Sequence, residues 1–179
     1  MFEAYVDLLE SHPFAAAFGQ FALLGMLGEY ASCLVRRRRL GAGPLKVAGK
    51  MLAWGILGLV IKLAFVGFDG FTRSVFTRLG ISTSMTLAGL AIPFALTKSF
   101  FTNTFFGPQM MLFHRWEDNI VTGDRGDYSG MRGAIATLFW FWIPAHTITF
   151  MIQSEELQVT LAAAWSVVLG LILGLSQRR

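Results

Sequence analysis

The sequence predicts an all-α protein whose helices cross a membrane several times and pack into one bundle. Long stretches with almost no charge recur along the chain, and each is bounded by charged residues. A bilayer core about 30 Å thick needs about 20 mostly apolar residues per helical crossing. Only helices or closed barrels satisfy their backbone groups in lipid, and these stretches lack the alternation of barrel strands. A polytopic transmembrane helix bundle follows.

Composition supports the same class. Of the 179 residues, 54% are hydrophobic and 15% are charged, whereas soluble domains have about 25% charged residues. The mean hydropathy is +0.56. The length leaves room for a single membrane domain, residues 1–179, with short loops. Arg36 to Arg39 alone account for the net charge of +4, which indicates a cationic membrane anchor and no nucleic-acid partner.

The elements follow in order from the spacing of apolar and polar residues. Residues 2–12 have the pattern of a short amphipathic helix. Pro13 suits the first turn of the next helix, and the segment 41–44 breaks the chain after it. Four to five membrane helices are predicted, at about residues 13–35, 45–68, 81–116, 133–153 and 157–175.

The third apolar stretch, residues 79–113, is too long for one crossing. As a helix, its 35 residues would span about 52 Å. It is either one long helix that protrudes or two pieces broken at Pro93 or at Gly107-Pro108. The sequence leaves both alternatives open.

Lysine and arginine set the predicted orientation. The loop 36–50 holds six of them and the last two residues hold two. With five crossings, the N-terminus lies outside, whereas residues 36–50 and Arg178-Arg179 lie inside. With four crossings the last helix would lie flat or pack peripherally, and its lack of a polar face argues against that.

Ionisable residues inside apolar stretches carry the functional hypotheses, because they are costly in lipid. Glu29 either belongs to a pore or proton path or is a buried carboxylate satisfied by Lys50, Lys98 or nearby hydroxyls. In both cases we expect it to face the bundle interior, with a partner on helix two or three. Lys46 and Lys62 are expected to snorkel outward.

A polar stripe in the third stretch provides the second candidate. Lys98, Thr102 and Asn103 lie on one helical face, which should face the bundle interior. In a pore, Lys98 would dominate the local field and set ion selectivity. The candidate polar path or buried pair comprises Glu29, Lys98, Thr102, Asn103 and Gln109.

Small residues offer close-packing faces. The GxxxG element from Gly170 to Gly174 could form a dimer interface or pack within the chain, and such motifs more often do the latter. The aromatic run from Phe139 to Trp142 could bind a pigment or quinone, with His114 or His146, but such residues more often form an interfacial belt or fill the core.

The sequence predicts no enzyme activity. It contains no nucleophile–base pair, no phosphate-binding loop and no paired carboxylates. The single cysteine, Cys33, shares no ligand spacing with the three histidines. We therefore expect neither a metal nor a cofactor.

Several of these residues, in shared order, resemble the Mpv-seventeen / peroxisomal-membrane-protein-twenty-two family of small membrane proteins. That family opens with tyrosine, leucine and His-Pro, and has Gly-Asp in the first membrane helix. Here Glu29 replaces that aspartate, and Thr102 replaces a later one. The matched residues are His12, Pro13, Gly28, Asp69, Pro108, Trp142, Pro144 and Trp165.

The resemblance implies a diverged, pore-like protein of an organelle inner membrane, with an unsettled solute. The mitochondrial inner membrane is the expected location, with peroxisome and plastid as alternatives. The alternative function is a non-catalytic accessory subunit of a respiratory or photosynthetic supercomplex. The expected partners are the lipid bilayer and other chains of an assembly or a second copy.

Overall fold

The computed structural model describes residues 2–37, 43–124 and 126–176. Its described residues form helices and no strand, which confirms the all-α class. The α-helices are α1 (Phe2–Ser11), α2 (Pro13–Val35), α3 (Pro44–Arg78), α4 (Ile92–Phe101), α5 (Gly107–Thr122), α6 (Met131–Thr137), α7 (Ile143–Phe150) and α8 (Glu155–Ser176).

Two π-helical turns join four of these helices into two longer rods. The turn Thr102–Phe106 connects α4 to α5, and the turn Leu138–Trp142 connects α6 to α7. A proline follows closely after each turn, and a proline ring clashes with the carbonyl four residues earlier. Those carbonyls lie inside the π-turns, whose wider winding accommodates the clash without breaking the rod. We call these rods the α4–α5 rod and the α6–α7 rod.

Four helices are long and apolar enough to cross a membrane, namely Pro13–Val35, Pro44–Arg78, Met131–Phe150 and Glu155–Leu175. The chain is therefore a multi-pass membrane protein. The α4–α5 rod is comparably long but more polar. Its polar side chains are buried within the bundle, at Lys98, Ser99, Thr102 and Asn103.

Glycines bring three of the long helices close together. A Cβ atom on Gly170 of α8 would lie 2.4 Å from the Gly28 carbonyl oxygen of α2, and one on Gly58 of α3 would lie 2.7 Å from the Ala17 carbonyl oxygen of α2. Gly174 packs against Ser32 in the same seam. The GxxxG element of α8 thus packs within the chain, because only small residues allow this approach.

Side-chain contacts fix the helix directions. Lys50 near the start of α3 contacts Asp118 near the end of the α4–α5 rod, and Asp69 contacts Lys98 near the start of that rod. The two therefore run antiparallel. In contrast, α8 runs parallel to α2, since Gly174 lies against Ser32 and Thr160 bonds Gln20.

These directions give the bundle two ends. The arginine end contains Arg36, the start of α3 and the segments 123–124 and 126–130, whereas the N-terminal end contains α1 and the segments 79–91 and 151–154. The start of α3 and the end of α8 lie together at the arginine end. Arg178 and Arg179 lie outside the described residues.

The third predicted helix has different bounds from those expected. Residues 79–91 are not helical, and the helix starts at Ile92 and continues to Thr122. Gly80 and Gly89 adopt positive φ angles of 68° and 76°, which interrupt a helix. Pro93 lies in the first turn, where proline begins a helix well. At Gly107-Pro108, one of the two breaks that the sequence left open, the chain instead passes from a π-turn into α5 within one rod.

Candidate functional site

A cavity of about 280 Å³ lies between the long helices. Its lining comes from α2, α3, both rods and α8. It reaches from Phe21, Phe65 and His146 in the bundle interior to Arg36 at the arginine end. Apolar side chains form most of the wall, so the cavity is largely apolar and has only a few polar groups.

Glu29 borders this cavity as part of an ion-pair cluster. The Lys50 ammonium lies 2.6 Å from Glu29 Oε2 and 2.8 Å from Asp118 Oδ1. The Trp54 indole N–H donates to Glu29 Oε1 at 2.8 Å. Both carboxylate oxygens of Glu29 therefore have a hydrogen-bond or ionic partner. Its basic partner comes from α3, in agreement with the expectation that a carboxylate in an apolar helix needs one.

Local packing explains why Trp54 reaches this carboxylate. The Trp54 ring lies against Gly25, one turn before Glu29, and a Cβ atom on Gly25 would lie 2.2 Å from the ring. The ring also contacts the His114 imidazole, with centroids 4.4 Å apart. Glycine on α2 therefore provides the space in which the indole is held against Glu29.

Lys98 forms a second ion pair at the N-terminal end. Its ammonium lies 3.1 Å from Asp69 Oδ1 and 3.3 Å from Gln158 Oε1, and 4.4 Å from the centroid of the Phe150 ring. Arg73 holds the other oxygen of Asp69 at 2.5 Å. Lys98 is only 1% exposed and is not part of the cavity lining. It joins α3, the α4–α5 rod and α8.

Lys62 corrects a prediction. It was expected to snorkel, but it is buried and lies 3.4 Å from Glu156 Oε1. The Glu156 carboxylate at the start of α8 pairs with the ammonium and thus replaces the water that a snorkelling lysine would reach. Lys46 is exposed at the arginine end and donates to the Thr122 carbonyl at 3.2 Å.

The polar stripe of the α4–α5 rod faces inward. Thr102 and Asn103 are buried and line the cavity. The Thr102 hydroxyl donates to the Lys98 carbonyl at 2.8 Å. The Asn103 amide donates to the Ser99 carbonyl at 2.8 Å and lies 3.1 Å from His146 Nδ1. These side chains are thus satisfied largely within their own rod.

For Gln109, the fifth residue of the candidate polar path, the predicted inward position is wrong. A regular α-helix would place it near the face of Lys98 and Thr102, but it is exposed on the outside of the bundle. The π-turn inserts an additional residue, which rotates everything after it by about 100°. The inward face therefore continues through Gly107, Met110, Met111 and His114.

The family-matched residues lie mainly at helix starts and seams. His12 precedes α2 and Pro13 begins it, whereas Pro108 and Pro144 follow the two π-turns. Gly28 lies in the α2–α8 seam, and Asp69 in the Lys98 ion pair. Trp142 lines the cavity, and the Trp165 N–H donates to the Thr149 hydroxyl at 3.1 Å.

The aromatic run after Thr137 divides between two environments. Phe139 and Trp140 are more than half exposed, at 56% and 53%, whereas Phe141 and Trp142 are buried. The π-turn therefore presents one pair to the surroundings of the bundle and one pair to its interior.

Three polar atoms of the cavity lining have no hydrogen-bond partner among the described residues, namely Arg36 Nε, His114 Nδ1 and Trp142 Nε1, and all three are buried. The sequence named these residues separately, but it did not indicate that they share a cavity. Only the folded arrangement brings them to one chamber, since they come from three separate segments. The described residues contain no group of three or more potential metal ligands.

A short segment covers the arginine end. The helix before it, α5, continues to Thr122, beyond the predicted bound at about residue 116, so the segment is short. The Asn119 amide donates to the Asp127 carbonyl at 2.9 Å. Hydrogen bonds donated by Ser129 hold the pKa of Asp127 below its usual range.

In comparisons with protein-family models, curated proteins and solved structures, nothing matched this chain significantly. The function proposed below therefore rests first on the cavity and ion pairs of the chain itself.

Proposed function

We propose that this chain is a pore-like membrane protein that takes a small solute into its central cavity. The cavity is the observation that supports this proposal. Protein interiors are close-packed and contain few voids larger than a water molecule, yet this bundle holds about 280 Å³ between its long helices. A bundle that served only as a packed anchor would not need such a space.

In this proposal the N-terminal end acts as the closed side. Phe65 and Phe150 pack edge to face with centroids 4.7 Å apart, and His146 stacks on Phe150 at 5.6 Å. The Lys98–Asp69 and Lys62–Glu156 pairs lie at the same end. Passage of a solute would require these contacts to separate, whereas the arginine end is the side of entry.

Location and family membership are proposed from the sequence resemblance. The chain would then be a diverged member of the Mpv-seventeen / peroxisomal-membrane-protein-twenty-two family in the mitochondrial inner membrane. Peroxisome and plastid are the alternative locations. Because lysine and arginine mark the inner side, the arginine end would face the matrix.

Reconstitution into liposomes tests the pore directly. The Glu29→Gln variant removes a carboxylate from the cavity wall, so permeability should shift from cations toward anions. Gln109→Ala is the matched control, because Gln109 is exposed outside the bundle, and it should leave selectivity unchanged. Liposomes that stay impermeable with monodisperse wild-type protein, or equal selectivity of Glu29→Gln and wild type, would contradict the proposal.

An apolar groove favours a second candidate function, the accessory subunit. It has a volume of about 480 Å³ and is lined by Val60, Leu63, Ala64, Gly67, Phe68, Phe71 and Phe106. The site of a Cβ atom on Gly67 is open, so a partner helix could approach the backbone there. Stoichiometric co-purification of respiratory subunits, lost in a Gly67→Leu variant, would favour this function over the pore.

A further inference from the structure

We propose that the central cavity binds a medium-chain organic carboxylate of roughly ten non-hydrogen atoms in total. The carboxylate would bind at Arg36, and the apolar body would extend into the chamber toward Phe65. This inference rests on the proposed function, for which it names the class of solute. Binding can be measured separately from transport.

An unpaired donor in the lining indicates that the ligand carries an oxygen acceptor. Arg36 Nε is buried and unpaired among the described residues. A guanidinium group can only donate hydrogen bonds. Buried donors without acceptors are rare in native proteins, so an acceptor from outside the chain is expected here.

The ion pairs around the chamber favour an anion at Arg36. Glu29 already has a basic partner in Lys50, which it shares with Asp118, and its second oxygen accepts the Trp54 N–H. Arg36 forms no ion pair with any residue that the structure describes, although its side chain lines the same chamber. Arg36 is therefore a charged group of the lining that has no ionic partner in the described part of the chain. Guanidinium groups bind carboxylates with strong, charge-assisted hydrogen bonds.

The volume of the chamber limits the size of the ligand, and its apolar walls favour an apolar chain behind the carboxylate. At about 30 Å³ for each water-sized group, a volume of 280 Å³ accommodates roughly ten non-hydrogen atoms. Between Phe21 and Arg36, the lining of α2 extends over about 22 Å, so the chamber is elongated. Leu57, Ile61 and Met110 contribute apolar wall along it. A medium-chain carboxylate such as decanoate fits this description.

Binding of radiolabelled decanoate to the full-length protein in nanodiscs tests the proposal, with empty nanodiscs subtracted. We expect saturable binding at about one molecule per chain. Unlabelled decanoate should displace the label, whereas decanol and decylammonium, which have the same chain but other head groups, should not at about 100-fold higher concentration. Equal displacement by all three, or no saturable binding, would overturn the proposal.

Two neighbouring arginines provide matched variants. Arg36→Gln should weaken decanoate binding at least about tenfold, because the charged hydrogen bond is lost. Arg37→Gln should bind as wild type, since Arg37 is exposed and not part of the lining. Equal affinity of Arg36→Gln and wild type would overturn the assignment. Thermal melting of both variants shows whether they fold, and the head-group comparison on the wild type needs no variant.

The outcomes separate this inference from the proposed function. A protein that binds decanoate but makes no liposome permeable would contradict the pore and retain the carboxylate site. A permeable protein that does not bind decanoate would contradict the carboxylate site alone.

Discussion

Lys98 at the N-terminal end and Lys50 at the arginine end are both paired with carboxylates, but their surroundings differ. Lys98 is 1% exposed and is enclosed by Asp69, Gln158 and the ring of Phe150. The Lys50 side chain is 15% exposed, and its partner Glu29 borders the cavity. The first ion pair lies within a packed wall, whereas the second lies beside an open chamber.

Side-chain size explains the difference between the two ends. Phe65, His146 and Phe150 fill the interior on the Lys98 side with stacked and edge-to-face rings. On the Glu29 side, Gly25 and Gly28 of α2 line the cavity, and the Trp54 indole and the backbone of α8 pack directly onto them in place of side chains from α2. The same type of ion pair therefore holds helices together at one end and forms part of a cavity wall at the other.

The largest effect should come from breaking the enclosed pair. Lys98→Ala should lower the free energy of unfolding by about 3–5 kcal/mol, because Asp69 loses a buried partner and the ammonium site becomes a void. Lys50→Ala should cost only about 1–2 kcal/mol, since Glu29 retains the Trp54 N–H. Denaturant or thermal unfolding of the purified protein in detergent measures both.

A double variant separates the charge from the packing. Replacing the pair by Lys98→Met with Asp69→Asn should recover more than half of the loss, because neither residue then carries an unpaired charge. Lys46→Ala serves as the control, since Lys46 is exposed, and it should change stability by less than about 0.5 kcal/mol. Equal losses for Lys98→Ala and Lys50→Ala would contradict the distinction between the two ends.

A smaller effect is expected in the α2–α8 seam that connects both ends. Gly170→Ala should destabilise the protein by about 1–3 kcal/mol, because the new methyl group would overlap the Gly28 carbonyl. Gly19→Ala is the matched control in α2, since no atom lies within 4 Å of the new methyl group. That change should stabilise the helix by up to about 1 kcal/mol. A stable Gly170→Ala variant that becomes monomeric from a dimer would instead place this glycine in an intermolecular interface.

Much of the fold was accessible from the sequence because lipid imposes strict rules. The apolar runs predicted the membrane helices, and the burial cost of charge predicted partners for Glu29. The inward face of Lys98, Thr102 and Asn103 also followed from helical spacing. These inferences depend on local pattern and on the energy of charge in lipid, both of which a single sequence shows.

The remaining features depend on packing between helices, which a single sequence does not show. Two π-turns change the register of the rods, so Gln109 was assigned to the wrong face. Lys62 was expected at the surface because its partner, Glu156, lies 94 residues away. The cavity itself arises from five separate segments, and no motif in any one of them indicates it. Pro93 and Gly107-Pro108 were the local signals of a disturbed helix in this region.

The smallest expected effect tests the π-turn that lies between the two ends. Asn103→Ala should cost about 1–2 kcal/mol, because it removes the hydrogen bond to the Ser99 carbonyl and leaves His146 Nδ1 buried without this partner. Gln109→Ala should change stability by less than about 0.5 kcal/mol, as expected for an exposed side chain. Both substitutions place alanine in the same rod, so the gain in helix propensity largely cancels in the comparison. Unfolding of the two variants, measured side by side, therefore reports the register after the turn. If the rod were a regular α-helix, Gln109 would lie inside, and its replacement would cost as much as that of Asn103.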